Sequence, residues 1–242
     1  MGLFSFVASC CSAIGSAISS AVSSIGSALS SFATTIGPVL GSIIDALKPV
    51  AEALGRFANA FLQGLGIIQP HENVEDMGER ALQAAGKGIT MEKFENFDGY
   101  MDALRKFELD PEVSSKRSSA EKLVAGLGVG TIGVEDKFNA ERGSLNGIWA
   151  LPMTNPSYFT PERMQGLVSA GRLGGDVFAY LEKRLGGAES NSFRKDLEMT
   201  PEGQPMNKQQ LGTLYDALDD AREQWASIAK QMQEKNNPTR DA

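Results

Sequence analysis

Large apolar residues recur at a fixed interval near the start of the chain, and serine, threonine, glycine and alanine fill the positions between them. Residues 11–43 divide into three elevens, CSAIGSAISSA, VSSIGSALSSF and ATTIGPVLGSI. Eleven residues complete three turns at about 3.67 residues per turn, close to an ordinary α-helix. The pattern therefore predicts a helix with a nearly straight apolar stripe on one side and small polar residues on the other.

The hydrophobic pattern changes after Pro38, where we expect this helix to break because proline lacks an amide donor. Apolar residues within 39–66 are spaced three and four apart, with charged residues on the opposite face. This spacing predicts an amphipathic helix, or two helices joined at Pro49, ended by the glycines before Pro70. Residues 1–70 are therefore predicted to form a helical hairpin, uncharged in its first half and amphipathic in its second.

The rest of the chain has the pattern of an acidic α-helical domain over residues 71–235, with a frayed tail at 236–242. Ser118 and Glu121 form the sequence of a capping box, and Thr160 precedes a proline as a helix N-cap should. No run of alternating strand residues is evident. The predicted fold is all-α, a Gly/Ser-rich helical hairpin plus a soluble multi-helix domain. Further helices are predicted at 73–86, 90–107, 174–187 and 206–235.

Charge is distributed unevenly along the 242 residues. There are 23 lysines and arginines against 30 acidic residues, a net charge of −7, and the first charged side chain is Asp45. An acidic chain without a basic cluster argues against a nucleic-acid partner. The two cysteines, Cys10 and Cys11, are neighbours and close no useful loop, so a reducing compartment is expected. The start lacks a basic n-region, so we expect no classical secretory signal and export by another route.

Candidate chemistry is sparse. The single histidine, His71, is expected on a surface loop, and no Cys/His spacing suits a metal. The carboxylates are interpreted as solvated. GVGTIG at residues 128–133 matches the dinucleotide fingerprint formally, but a helical stretch precedes it instead of a strand. We interpret it as a helix end or a flexible loop, and we expect no enzyme activity, no cofactor and no metal.

The uncharged segment is instead suited to a membrane. Small residues let helices approach closely in lipid, as in a glycine zipper, and serine hydroxyls can bond back to their own helix. Its hydrophobicity is marginal, which suits a protein that stays in water and inserts later. A core helix or a flexible linker is the alternative. The residues predicted to serve insertion and helix packing are Ile14, Gly15, Ile18, Ile25, Gly26, Leu29, Ile36, Gly37 and Gly41. The candidate pore-lining residues are Ser16, Ser20, Ser23, Ser27 and Ser30.

Two stretches of the body, FENFDGYMDALRKFELDPE and NPSYFTPERM, together with the uncharged N-terminus, resemble small pore-forming toxins that type VI secretion delivers between bacteria. The resemblance implies insertion into the inner membrane of a competitor, ion leak and depolarisation. It implies storage in the producing cytoplasm, a carrier in the secretion apparatus, oligomerisation on insertion and a membrane-bound immunity protein. No catalytic residue follows from it.

Two other functions fit the same features. A phage virion protein that is ejected to form a conduit across the bacterial envelope also needs a marginal membrane helix without a signal peptide. A helical scaffold could use its N-terminus only to hold a partner. Neighbouring genes and toxicity on export to the periplasm would separate these alternatives.

Overall fold

The computed structural model describes residues 13–236, with side-chain surroundings from Ser16 to Lys235. Thirteen α-helices and two short 3-10 helices make up this part of the chain, which contains no β-strand, so the predicted all-α multi-helix fold is confirmed. The helices are α1 (Ala13–Ser23), α2 (Ser30–Thr35), α3 (Gly37–Ala46), α4 (Lys48–Gly64), α5 (Val74–Gly86), α6 (Phe97–Lys106), α7 (Pro111–Ser115), α8 (Ser119–Lys137), α9 (Ala150–Thr154), α10 (Pro161–Ser169), α11 (Val177–Leu181), α12 (Gly187–Asp196) and α13 (Lys208–Asn236).

The prediction of one continuous helix ahead of Pro38 is wrong. Helix α1 ends at Ser23, a 3-10 turn follows at Ser27–Leu29, and α2 and α3 come after it. Pro38 lies in the first turn of α3, where its missing amide costs no hydrogen bond. Pro49 has the same role in α4, so a proline that appears to interrupt the pattern begins a helix at both places.

Helix α8 is the centre of the molecule. It carries no charged residue from Leu123 to Val134, and that whole stretch is buried. Helices α1, α3, α4, α5 and α6 all contact it. The stretch GVGTIG therefore lies inside a buried helix, and our interpretation of it as a helix end or flexible loop is wrong. The capping box of Ser118 and Glu121 begins this helix as predicted.

Helices α5 and α8 form the most extensive contact between two elements because glycines line it. A Cβ atom on Gly126 would overlap the carbonyl oxygen of Val74, and one on Gly78 would overlap the carbonyl oxygen of Lys122. The backbones of the two helices thus touch directly. Side chains of ordinary size would hold the axes further apart.

The C-terminal part surrounds the other side of the core. Thr160 caps α10 and Asp176 caps α11 through their side chains. The long helix α13 packs on α9 and α11 and reaches α3 near the beginning of the chain. Apolar residues from Ile18 to Met232 belong to one buried cluster, so the N-terminal helices share a core with the acidic remainder.

Two carboxylates depart from the solvated arrangement that we expected. Glu79 and Glu135 are 2% and 1% exposed. Glu79 accepts a hydrogen bond from Gln83 at 2.5 Å. Glu135 accepts the amides of Gly143 and Leu145 at 2.9 and 3.1 Å. Burial raises the pKa of Glu135 and outweighs these hydrogen bonds. Glu135 thus joins the loop at Gly143 and Leu145 to α8, and Glu79 joins the loop before α8 to α5 through Arg117 at 3.5 Å.

Candidate membrane-inserting segment

The apolar stripe of the N-terminal segment faces the protein core. Ile18, Ile25, Leu29 and Ile36 are between 0% and 6% exposed and belong to the common buried cluster. Ile14 and Gly15 lie in α1, but their side-chain surroundings fall outside the described part, as do Cys10 and Cys11. The stripe thus supplies core packing in this structure, and its role in lipid stays a prediction.

The five candidate pore-lining serines all lie on the opposite, solvent-exposed side. Their positions continue the polar face that the eleven-residue pattern predicts. Another serine on this segment, Ser19, donates from its hydroxyl to the carbonyl of Ala33 at 2.8 Å, which joins α1 to α2. The segment therefore places these serines at the surface and its aliphatic side chains in the core. The exposed candidates are Ser16, Ser20, Ser23, Ser27 and Ser30.

Gly26 occupies the break between α1 and the 3-10 turn. Its φ of 151° is accessible to glycine but strained for other residues. A Cβ atom here would lie 2.6 Å from a carboxylate oxygen of Glu92. That carboxylate accepts the Ser27 hydroxyl at 2.6 Å and the Ala28 amide at 2.8 Å. Gly26 therefore makes room for a contact with a residue far along the sequence.

The carboxylate of Glu92 is held in its ionised form. Partial burial alone would raise the pKa of Glu92, but the hydrogen bonds from Ser27, Ala28, Thr90 and its own amide lower it to about 2. Negative charge also suits the start of a helical turn, where amides have no intrahelical partner. Glu92 is thus charged whenever the protein is near neutral pH.

Gly41 allows α1 to lie directly on α3. A Cβ atom on Gly41 would come 2.6 Å from the Cδ1 atom of Ile18. Gly37, four residues earlier, is also buried, and a Cβ atom there would meet the Phe32 carbonyl at 3.3 Å. Both glycines therefore take part in close packing within one chain. Whether they also pack copies together is a prediction that the single chain does not test.

Two further side chains from distant parts of the sequence contact the segment. Asn146 donates its side-chain amide to the Ser31 hydroxyl at 3.0 Å. Lys235, in the last turn of α13, donates its ammonium to the carbonyl of Ala46 at the end of α3. Residue spacing gives no signal for these contacts or for Glu92, because the partners are separated by 65 to 189 residues.

Within residues 13–236 no single helix is both long and apolar enough to span a bilayer. One bent helix pair meets the requirement by length and composition: Ser27–Thr35 together with Gly37–Ala46, with an angle of 57° between its halves. The buried helix of a water-surrounded core can meet the same requirement. The bent helix pair is nevertheless the part of the segment with the composition that a bilayer needs.

A cleft of about 340 Å³ that is lined by polar and charged residues lies beside α5 and α6. Both of its arginines have partners, since Arg105 contacts Glu72 at 2.9 Å and Arg80 donates to the Phe107 carbonyl at 2.6 Å. His71 lies on its rim and is exposed, as expected for a loop residue. Across the described residues no three His, Cys, Asp or Glu side chains are grouped to hold a metal.

Comparison of the chain with protein-family models, with curated proteins and with solved structures finds no significant match.

Proposed function

We propose that this protein is a pore-forming antibacterial toxin that stores its uncharged N-terminal segment in its own core and inserts it into the inner membrane of a target cell. The supporting observation is the bent helix pair: its apolar face packs against α8, its first charged residue is Asp45, and it meets the length and composition of a bilayer-spanning segment. Copies then assemble in the membrane and conduct ions, which depolarises the cell. The protein is not an enzyme in this proposal.

The physical basis is that lipid can replace the contacts that the segment makes in water. Its aliphatic side chains exchange one apolar environment for another, and its backbone hydrogen bonds lie largely within short helices. The exposed serines need no charged partner and can line a wet passage between copies. The hydrogen bonds that the segment donates to Glu92 and those that it accepts from Asn146 and Lys235 have to break for the segment to leave.

Delivery and immunity follow from the same proposal. A producing cell would hold the protein in its cytoplasm with the segment covered, and a secretion apparatus would carry it out without a classical signal. A membrane-bound immunity protein would protect the producer. Membrane lipid, other copies of the chain and these two proteins are the proposed partners, and nucleic acid is not one.

Planar-bilayer recording with the purified full-length chain tests the proposal. We expect discrete conductance steps.

A second experiment tests whether the serines line the pore. Cys10 and Cys11 are replaced by serine and Ser20→Cys is introduced, a site that is exposed in the stored form. A charged thiol reagent added after channels open should then reduce the conductance. The matched control is Ser227→Cys on α13, also exposed, where the reagent should have no effect.

A chain that gives no conductance at any voltage or lipid composition contradicts the proposal. Replacing Gly26 by leucine is a poor test of assembly, because a side chain there collides with Glu92 and disturbs the stored fold as well. A phage conduit protein would also conduct, so the genes beside this one separate the two: a multi-spanning membrane protein favours the toxin and tail genes favour the virion. A scaffold would leave both bilayers and an exporting cell unharmed.

A further inference from the structure

We infer that Glu92 and Lys235 act as two clasps, one at each end of the bent helix pair, and that their opening controls release of the pair from the core. This inference rests on the proposed function for its purpose, but the clasps themselves are contacts within the folded chain. Neither residue belongs to the N-terminal segment.

The clasp at the beginning of the pair is the Glu92 carboxylate. It accepts the hydroxyl of Ser27 and the amide of Ala28, the first two residues of the pair, at 2.6 and 2.8 Å. Hydrogen bonds to a charged acceptor are roughly twice as strong as neutral ones. Glu92 lies on the 3-10 helix Met91–Lys93, whose Met91 is buried, so the carboxylate is positioned by a packed element.

The clasp at the other end is the Lys235 ammonium. It contacts the carbonyl of Ala46, the last residue of the pair, where helix carbonyls lack intrahelical partners. Met232 and Ile228, one and two turns earlier in α13, are 4% and 5% exposed, which anchors the end of this helix. Lys235 therefore reaches the pair from a helix that is itself packed on the core.

The signs of the two charges match the ends that they contact. A helix carries partial positive charge at its start and partial negative charge at its end. The pair contains one charged residue, Asp45, and that charge has the unfavourable sign for a helix end. Glu92 places an anion at the start of the pair and Lys235 places a cation at its end. These two residues supply the favourable charges that the pair itself lacks. Both clasps are exposed, so a partner or a surface can compete for them without first entering the core.

Hydrogen exchange in water, without any membrane, tests the clasps directly. Glu92→Ala and Lys235→Met should each raise the exchange rate of amides within Ser27–Ala46 by about fivefold or more, while amides of α8 keep their protection. The matched controls are Glu95→Ala and Lys230→Met, which remove the same charges from exposed neighbouring positions. Exchange equal to wild type in both clasp variants overturns the inference.

The second measurement is release of dye from vesicles of phosphatidylethanolamine and phosphatidylglycerol. Both clasp variants should release dye several times faster than wild type and reach the same final extent, whereas the controls follow wild type. Faster exchange without faster release, with an active wild-type protein, overturns the gating role. Wild-type protein that never releases dye contradicts the proposed function, and the exchange experiment still decides on the clasps.

Discussion

Glycine residues determine how closely the helices of this protein approach one another. At Gly78 and Gly126 the backbone of the neighbouring helix occupies the space that a Cβ atom would need, and at Gly41 the Ile18 side chain occupies it. The G-x-x-x-G spacing of Gly126 and Gly130 was visible in the sequence, but only the structure identifies which neighbour fills each gap: Val74 at one and Leu62 at the other. Spacing thus predicts a close approach without naming the partner.

Gly126→Ala should lower the free energy of unfolding by about 3 kcal/mol, because two backbones must separate to admit one methyl group. The control is Gly212→Ala on α13, where a Cβ atom meets nothing within 4 Å. Alanine there should leave stability unchanged or raise it by up to about 1 kcal/mol. Urea unfolding measures both, and equal effects at the two positions would contradict direct backbone contact of α5 with α8.

At the scale of elements, the short helices α1 and α2, with a 3-10 turn between them, replace the one long helix that the eleven-residue period predicts ahead of Pro38. The apolar stripe that the period predicts is the face that is buried in this structure, since Ile18, Ile25 and Leu29 all face the core. The break after α1 lies at Gly26, where the chain turns to meet Glu92, a long-range contact that periodicity does not contain. The local pattern therefore determines which face is buried, and tertiary contacts determine where each helix ends.

The contact of Glu92 with this break makes stability depend on acid in a defined direction. Its folded pKa of about 2 lies below the ordinary value of 4.5, so its contribution is fully present above pH 4.5 and is lost as pH falls toward 2. The stability difference between wild type and Glu92→Gln should be constant near neutral pH and shrink below about pH 4.5.

Urea unfolding at a series of pH values measures that difference. The matched substitution Glu95→Gln, at an exposed position three residues away, should change stability by less than about 0.5 kcal/mol. A Glu92 difference that grows as the solution is acidified would mean that the carboxylate is not the favoured form. The same low pKa means that mild acid, around pH 5, does not open this contact.

At the scale of the whole molecule, the N-terminal helices and the acidic remainder share one apolar cluster. A division into a hairpin of residues 1–70 and a separate domain of residues 71–235 was expected from the change in composition. Composition shows where charged residues begin along the chain, but it cannot predict that Leu29 packs on Gly128 of α8. The all-α class could be predicted from the local pattern, whereas the sharing of a core could not.

Leu29→Ala should therefore lower the free energy of unfolding of the whole chain by about 3 kcal/mol, because it opens a cavity against the central helix. Val113→Ala is the control, since Val113 is 37% exposed and its loss should change stability by less than about 0.5 kcal/mol. Urea unfolding followed by far-ultraviolet circular dichroism measures both. A Leu29 variant that loses only its N-terminal helices, with the remainder as stable as before, would indicate two independent units.

The intrinsic fluorescence of the two tryptophans can report which part of the protein moves, because they lie in different parts of the core. Trp149 is fully buried, donates its indole N–H to Thr131 of α8 at 2.9 Å and meets Phe61 edge-on. Trp225 is buried on α13 and meets Phe178 edge-on, with ring centres 5.4 Å apart. Emission that shifts to the red from Trp225 alone would report lifting of the C-terminal helix, and a shift from Trp149 would report water reaching the centre. Exchanging either indole for phenylalanine assigns the signal, so the motion can be timed by stopped flow without attaching a dye.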